Sequence, residues 1–402
     1  MLTPRPAVNR PAPCRSFALL LALVSSLPLS MLAACQGPPA PKSAAGPGQA
    51  AGPGQAAGPG QAAGPGQAAG PGQAAGPGQT QAVERAKELV ELALAKERGA
   101  RGAKDPSAAR KLLGQACRLG HLEGCRQLAQ RVALGSGGAA DPARARRLFG
   151  RACDLGLGAA CVDHGVMLGA GLGGPKDPAG SRARYERACA RRERKGCVYL
   201  ADLLCQGLGG PRDAPRAMAL YEESCRHGLL QGCHDLAVTL LEGSCAAKAP
   251  SRARALLGRV CDGTWPEDGR EVQAEGCQTL GVMLERGEGG LQDLPGARLR
   301  HLRACDLGSA VGCRSIGQLF FLGRGGAEDA TLARKNFHKG CELGEPKACF
   351  QLALLMSVGL GGPKDPAEAA LLARRACKQG VTAACSFQAK GPEAAPRPSS
   401  RP

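Results

Sequence analysis

The sequence predicts an all-α protein: a right-handed α/α superhelical solenoid of helix-turn-helix repeats, stapled by disulfides. Three observations point there. Aromatic residues are only 3% of the 402 residues, while Ala, Leu, Gly and Cys are plentiful, a balance that suits close-packed helices better than a sheet-based core. The chain carries 20 cysteines, and most fall into pairs eight residues apart. The first members of those pairs recur every 36 residues, as at Cys117, Cys153, Cys189, Cys225 and Cys261. A fixed period of this size marks a stacked repeat array.

The pairs are Cys117/Cys125, Cys153/Cys161, Cys189/Cys197, Cys225/Cys233, Cys261/Cys277, Cys305/Cys313, Cys341/Cys349 and Cys377/Cys385. Only the fifth is wider, because it encloses extra residues. Glycine follows ten residues after every second cysteine but the last, at 135, 171, 207, 243, 287, 323 and 359. One period earlier lies Gly99, which places a first, cysteine-free repeat from about Val83. Six residues past each glycine stands Asp105, Asp141, Asp177, Asp213, Asp293, Asp329 or Asp365, with Ala249 the exception. This reads as a helix ended by a left-handed glycine, a short loop, and a second helix opened by an Asp cap, often with Pro in its first turn.

Most first helices carry large apolar residues three and seven positions after the cysteine, such as Leu200/Leu204 and Leu352/Met356, around a small residue at position four (Gly165, Ala201, Ala237, Gly281, Gly317, Ala353). Most second helices carry a matching Ala (Ala109, Ala145, Ala217, Ala253, Ala297, Ala333, Ala369), and several carry an aromatic at the position four on, such as Phe149, Tyr185, Tyr221 or Phe337. These rows are packing faces. Each cysteine pair then joins the end of one second helix to the next first helix across a short turn. Of the other four, Cys14 and Cys35 lie in the N-terminal segment; Cys205 and Cys245, in adjacent repeats, are expected to pair with each other, with a free reactive thiol as the alternative.

The pattern, clearest in Ala304-Cys305-Asp306-Leu307-Gly308-Ser309-Ala310-Val311-Gly312-Cys313, resembles the Sel-one-like repeat, a relative of the tetratricopeptide repeat. The resemblance covers residues 83–390 as about eight repeats, and the cysteines narrow it to the bacterial cysteine-rich subgroup. It departs from the pattern around Cys245 and in the insert Asp262–Gly276, which holds the single Trp265. Members of that subgroup are described as penicillin-binding or as weak β-lactamases, so the resemblance implies a β-lactam or peptidoglycan-peptide ligand as one possible function. The residues themselves carry no Ser-x-x-Lys and no Lys-Thr-Gly, and no catalytic residue is assigned.

The first 34 residues carry three Arg, no acid, and an apolar stretch from Phe17, the layout of a secretory signal. They end in Leu32-Ala33-Ala34-Cys35, which looks like a bacterial lipobox with Cys35 as the lipidation site. Gln36 follows rather than Asp, which favours the outer membrane, on its periplasmic or surface side. Residues 35–82 are expected to form a disordered spacer containing six copies of Ala-Ala-Gly-Pro-Gly-Gln. That repetitive coil spans roughly 30–35 Å. The Pro-rich tail 391–402 is also expected to be disordered.

The formal charge of +18 would suggest nucleic acid in a cytosolic protein, but export and the shortage of stacking aromatics argue against that partner. Neither Cys-x-x-Cys nor HExxH occurs, so no metal or cofactor is expected. The expected function is a monomeric, membrane-tethered scaffold that binds a protein or peptide of the cell envelope along the concave face formed by its first helices. The candidate contacts are Arg126, Asp163, His234, Gln278, Arg314, Gln318 and Gln351, with Trp265 of the insert.

Overall fold

The computed structural model describes residues 77–100, 102–265 and 269–389. The expected signal segment, the lipidation site Cys35, most of the spacer and the tail from 391 lie outside the described residues. Those described form 17 helices and no strand. The first helices of the repeats are α1 (Pro77–Arg98), α3 (Leu122–Leu134), α5 (Gly158–Ala170), α7 (Arg194–Gln206), α9 (Leu230–Glu242), α11 (Arg270–Arg286), α13 (Ala310–Phe321), α15 (Pro346–Val358) and α17 (Thr382–Ala389). The second helices are α2 (Pro106–Arg118), α4 (Pro142–Asp154), α6 (Pro178–Ala190), α8 (Ala214–Arg226), α10 (Pro250–Asp262), α12 (Leu294–Asp306), α14 (Ala330–Glu342) and α16 (Pro366–Lys378). None is long and apolar enough to cross a membrane.

Within each compact unit, consecutive helices pack against each other in chain order, as the helices of a repeat solenoid do. The described residues divide into two compact units. One runs to Leu155 and takes in Val166–Lys176; the other comprises Gly156–Gly165 and the chain from Asp177.

The caps behave as the sequence demands. Asp105, Asp141, Asp177, Asp213, Asp293, Asp329 and Asp365 each accept a hydrogen bond from the backbone N–H three residues on, while Ala249 offers none. The first helices end on glycines in the left-handed region, Gly207 at φ +69° for example. That region is open to glycine at little cost.

The apolar rows form the core. Ala109, Ala145, Ala217, Ala253, Ala297, Ala333 and Ala369 are fully buried. The small residue at position four of a first helix receives the bulky side chain of the following second helix. A Cβ on Gly317 would lie 2.7 Å from the Phe337 ring, and one on Gly165 would lie 2.5 Å from Tyr185. A methyl group at either position would push the helices apart.

The staples rest on the same small-residue logic. Seven eight- or sixteen-apart disulfides join Cys117–Cys125, Cys189–Cys197, Cys225–Cys233, Cys261–Cys277, Cys305–Cys313, Cys341–Cys349 and Cys377–Cys385, with Cα separations of 4.4–4.8 Å. Cys153 and Cys161 are likewise disulfide-bonded. Cα atoms this close require the flanking backbones to touch. The residue before the second cysteine is therefore small: a Cβ on Gly196 would meet that of Ala188 at 2.5 Å. Where that position is Ala348, the glycine moves to the other strand of the contact, at Gly340.

Helix α1 begins at Pro77, inside the last copy of the hexapeptide and upstream of Val83. Proline is compatible with a first helical turn, so the helix extends back into the spacer. The second half of the insert, from Arg270, adds about one turn to the front of α11, which has 17 residues where most first helices have 13. Arg-Glu-Val-Gln-Ala-Glu is dominated by helix-forming residues, and Gln273 anchors it by donating to the carbonyls of Cys261 and Gly263 at 2.9 and 2.8 Å.

Candidate functional site on the first helices

The candidate contacts all lie on first helices, except Trp265 of the insert, but they do not all stand free. Arg126 makes a two-pronged bond to Glu123 at 2.9 and 2.7 Å. Burial raises the Glu123 carboxyl, but the hydrogen bonds and charge of Arg126 outweigh it and hold the group below its ordinary value. Arg314 donates to Gln318 at 3.1 Å and faces Glu345 of α15 at 3.5 Å. It thus spends its charge at a repeat junction. His234 is buried, with Nδ1 3.1 Å from Asp235 and Nε2 3.9 Å from Glu275. Gln278 and Gln351 are half-buried on their helices, and the Gln351 side-chain oxygen has no hydrogen-bond partner.

Trp265 is half-buried and folds back, its indole N–H donating to the Val260 carbonyl at 2.9 Å. The polar end of the ring closes α10 instead of pointing away from it.

The structure also brings the candidate Asp163 together with two carboxylates that the repeat pattern does not single out. Half-buried Asp163 on α5, Asp202 on α7 and Asp235 on α9 converge electrostatically on two buried tyrosines of the second helices. Tyr185 is driven well above its ordinary pKa, chiefly by burial, with Asp202 and Asp163 adding to the rise. Tyr221 is raised for the same first reason, and Asp202 and Asp235 add to it. The Tyr221 hydroxyl donates to Asp202, so this phenol stays protonated and orients the carboxylate. Three successive first helices of a chain with formal charge +18 therefore present a local run of acid. The pairing was hidden because Asp202 and Tyr221 belong to different rows of the repeat.

A second set joins buried His301 of α12 to half-buried Glu285 of α11 at 2.8 Å, and Glu285 to exposed Arg324 at 3.4 Å. His301 fills the place that Tyr185 and Phe337 fill elsewhere. The serines shown are engaged with backbone: the Ser181 hydroxyl donates to Gly165 O and that of Ser357 to Leu354 O, both at 2.8 Å.

Cys205 and Cys245 lie side by side without a bond between them. Both are buried free thiols in side-chain hydrogen-bond contact.

The comparisons with known proteins agree with this architecture. The Sel1 repeat model matches residues 89–121, 122–157, 158–191, 194–229, 274–309, 310–345 and 346–381, more than half of the chain. The chain belongs to the Sel1 repeat family. The unmatched stretch between 230 and 273 holds both Cys245 and Trp265. Among solved structures, a Sel1 repeat protein from Oxalobacter formigenes aligns with a TM-score of 0.59 at 20% identity, over 78% of this chain and 90% of that one. The protein c5321, a protective antigen of uropathogenic Escherichia coli strains, aligns with a TM-score of 0.56 at 22% identity. That match covers 78% of this chain and 66% of that one, so this chain spans just under two thirds of its length. At such identities the likeness shows the fold. No curated protein matches. Sel1 repeat proteins are generally scaffolds for protein interaction, and disulfides at this density belong to an oxidising, extracytoplasmic compartment.

Proposed function

We propose that this Sel1 repeat protein is a lipid-anchored scaffold of the bacterial cell envelope, tethered through Cys35 to the outer membrane. It acts as a monomer and binds a protein or peptide along the concave face of its first helices. The observation that carries the reading is the acid run of Asp163, Asp202 and Asp235 on three consecutive first helices. An array of parallel helices offers an extended ligand one contact per repeat, and the Asp202 carboxylate, held by the Tyr221 hydroxyl, is ordered before the ligand arrives, which lowers the cost of binding. The chemistry favours a segment bearing lysine or arginine. Electrostatic complementarity of that kind sets partner choice and association rate more than raw affinity.

A photo-crosslinking residue placed at Gln278 or Gln351, in cells, tests the binding face. The expected result is one common adduct, identified by mass spectrometry, from both positions. It is absent when the probe sits at Leu291, an exposed loop residue, and weakened by Asp202→Asn. Equal capture from Leu291, or an adduct indifferent to Asp202→Asn, overturns the reading. The anchor is tested separately: Cys35→Ser should abolish fatty-acid labelling and release the protein from the membrane fraction.

A further inference from the structure

Most repeat junctions carry a device that the sequence reading did not single out. Five residues after the cap position of the second helix stands an arginine, and its guanidinium donates to a loop carbonyl of the following repeat. Arg110 reaches Ala139 O at 3.0 Å, Arg146 reaches Pro175 O and Arg254 reaches Leu291 O at 2.9 Å, and Arg182, Arg298 and Arg334 reach Pro211, Ala327 and Pro363 at 2.8 Å. Two adjacent loop glycines make room for it. A Cβ on the first would fall on a backbone carbonyl of the preceding repeat, as Gly209 would on Pro178 O at 2.2 Å. A Cβ on the second would fall on the arginine, as Gly210 would on Arg182 Nη1 at 2.8 Å.

One junction lacks all of this. Met218 stands where the arginine belongs, Cys245 where the first glycine belongs and Ala246 where the second belongs. The Cys245 thiol points at Ala214 O, 3.9 Å away, the carbonyl equivalent to the one the glycines approach. Cys205, at the end of α7, lies in contact with it across the junction. An arginine from a different position reaches this loop instead, Arg212 donating to Ser244 O at 2.5 Å.

We propose that Cys205 and Cys245 close a disulfide that serves, at this one junction, as the clasp that arginine provides at the others. The oxidant is a disulfide, from a protein or from a small thiol. One thiolate attacks it to form a mixed disulfide and release the first thiol, and the second thiolate displaces the second. The two cysteines lose two electrons and two protons in all, and the oxidant leaves as two thiols. Burial, reinforced by contact with Cys245, pushes the Cys205 thiol up to about 12. Exchange in the packed state is therefore slow, and the bond forms as the chain folds, before the junction closes.

The test is to refold the full chain from denaturant in a glutathione redox buffer, trap thiols by alkylation and map linked peptides after a digestion that separates each cysteine. The eight-apart pairs serve as internal controls. The expected result is a Cys205–Cys245 linkage, with amides 243–249 exchanging hydrogen about tenfold more slowly than in the Cys205→Ser/Cys245→Ser variant. A chain that rebuilds the regular junction (Met218→Arg, Cys245→Gly and Ala246→Gly, with Cys205→Ser) should recover the same protection. Cys205 and Cys245 both alkylated while the eight-apart pairs are linked, or Cys205 joined to any other cysteine, overturns the proposal.

Discussion

The junction from α6 to the loop after α7 and the junction from α8 to the loop after α9 occupy successive repeats, yet they are closed by different chemistry. The first has Arg182, Gly209, Gly210 and the cap Asp213; the second has Met218, Cys245, Ala246 and Ala249. Four positions change together, and the geometry says why. Ala246 would crowd an arginine at 218, just as a methyl on Gly210 would crowd Arg182. Without the arginine, nothing requires the second glycine. The arginine and the second glycine are therefore coupled, and the altered junction has lost both.

The comparison can be broken hardest at a regular junction. Gly361→Ala places a Cβ about 2.1 Å from Ala330 O at a φ of +69°. Strain and clash together should cost about 3 kcal/mol, seen as an early urea-unfolding step for the C-terminal repeats. Cys245→Ala, at the equivalent position of the altered junction, should cost far less in the thiol form. Equal losses at the two sites would show that the junctions are not different in kind.

Removing a staple ranks next. Cys341→Ala/Cys349→Ala opens a ring of nine residues and should lower stability by about 2.5 kcal/mol, the loop-entropy value; urea titration with and without reductant reads it. Unchanged stability would mean that packing alone keeps these repeats in register.

The caps give a smaller and signed effect. Asp365→Ala removes the bond to Glu368 N–H, 2.9 Å long, at a cost of about 1 kcal/mol, and Ala249→Asp should return a similar amount to the altered repeat. A loss on Ala249→Asp would mean that the loop there no longer presents α10 for capping.

The smallest effect is in acid. The hydrogen bond from His301, ahead of the opposing pull of burial, holds the Glu285 carboxyl below its ordinary 4.5. A depressed carboxylate contributes stability above its unfolded pKa and loses it as pH falls through the lower folded value. Stability should therefore decline below about pH 4.5, and Glu285→Gln should flatten that decline; an unchanged acid limb would remove Glu285 from the account.

Much of this molecule was legible from spacing. Cys305 and Cys313 identify their own partnership because eight residues hold only a helix end and a turn. Asp329 identifies its cap because the bond spans three residues. The acid run was not legible in the same way. Asp163 and Asp235 share a register, but Asp202 does not, and only the contact with Tyr221 shows that it belongs with them. Trp265 and Gln273 were equally opaque, since both turn inward to satisfy carbonyls at the end of α10.

The division follows the range of the interactions. The sequence by itself determined the repeat, its helices, its caps and its local staples, because each depends on residues within one period, where covalent connectivity already holds the partners close. The tertiary structure decided which rows meet across neighbouring repeats: the arginine clasp spanning 29 residues, the Tyr221–Asp202 pair, the helical half of the insert, and the meeting of Cys205 with Cys245. Those contacts turn on whether two backbones approach by an ångström more or less, and that is set by the small residues packed between the helices.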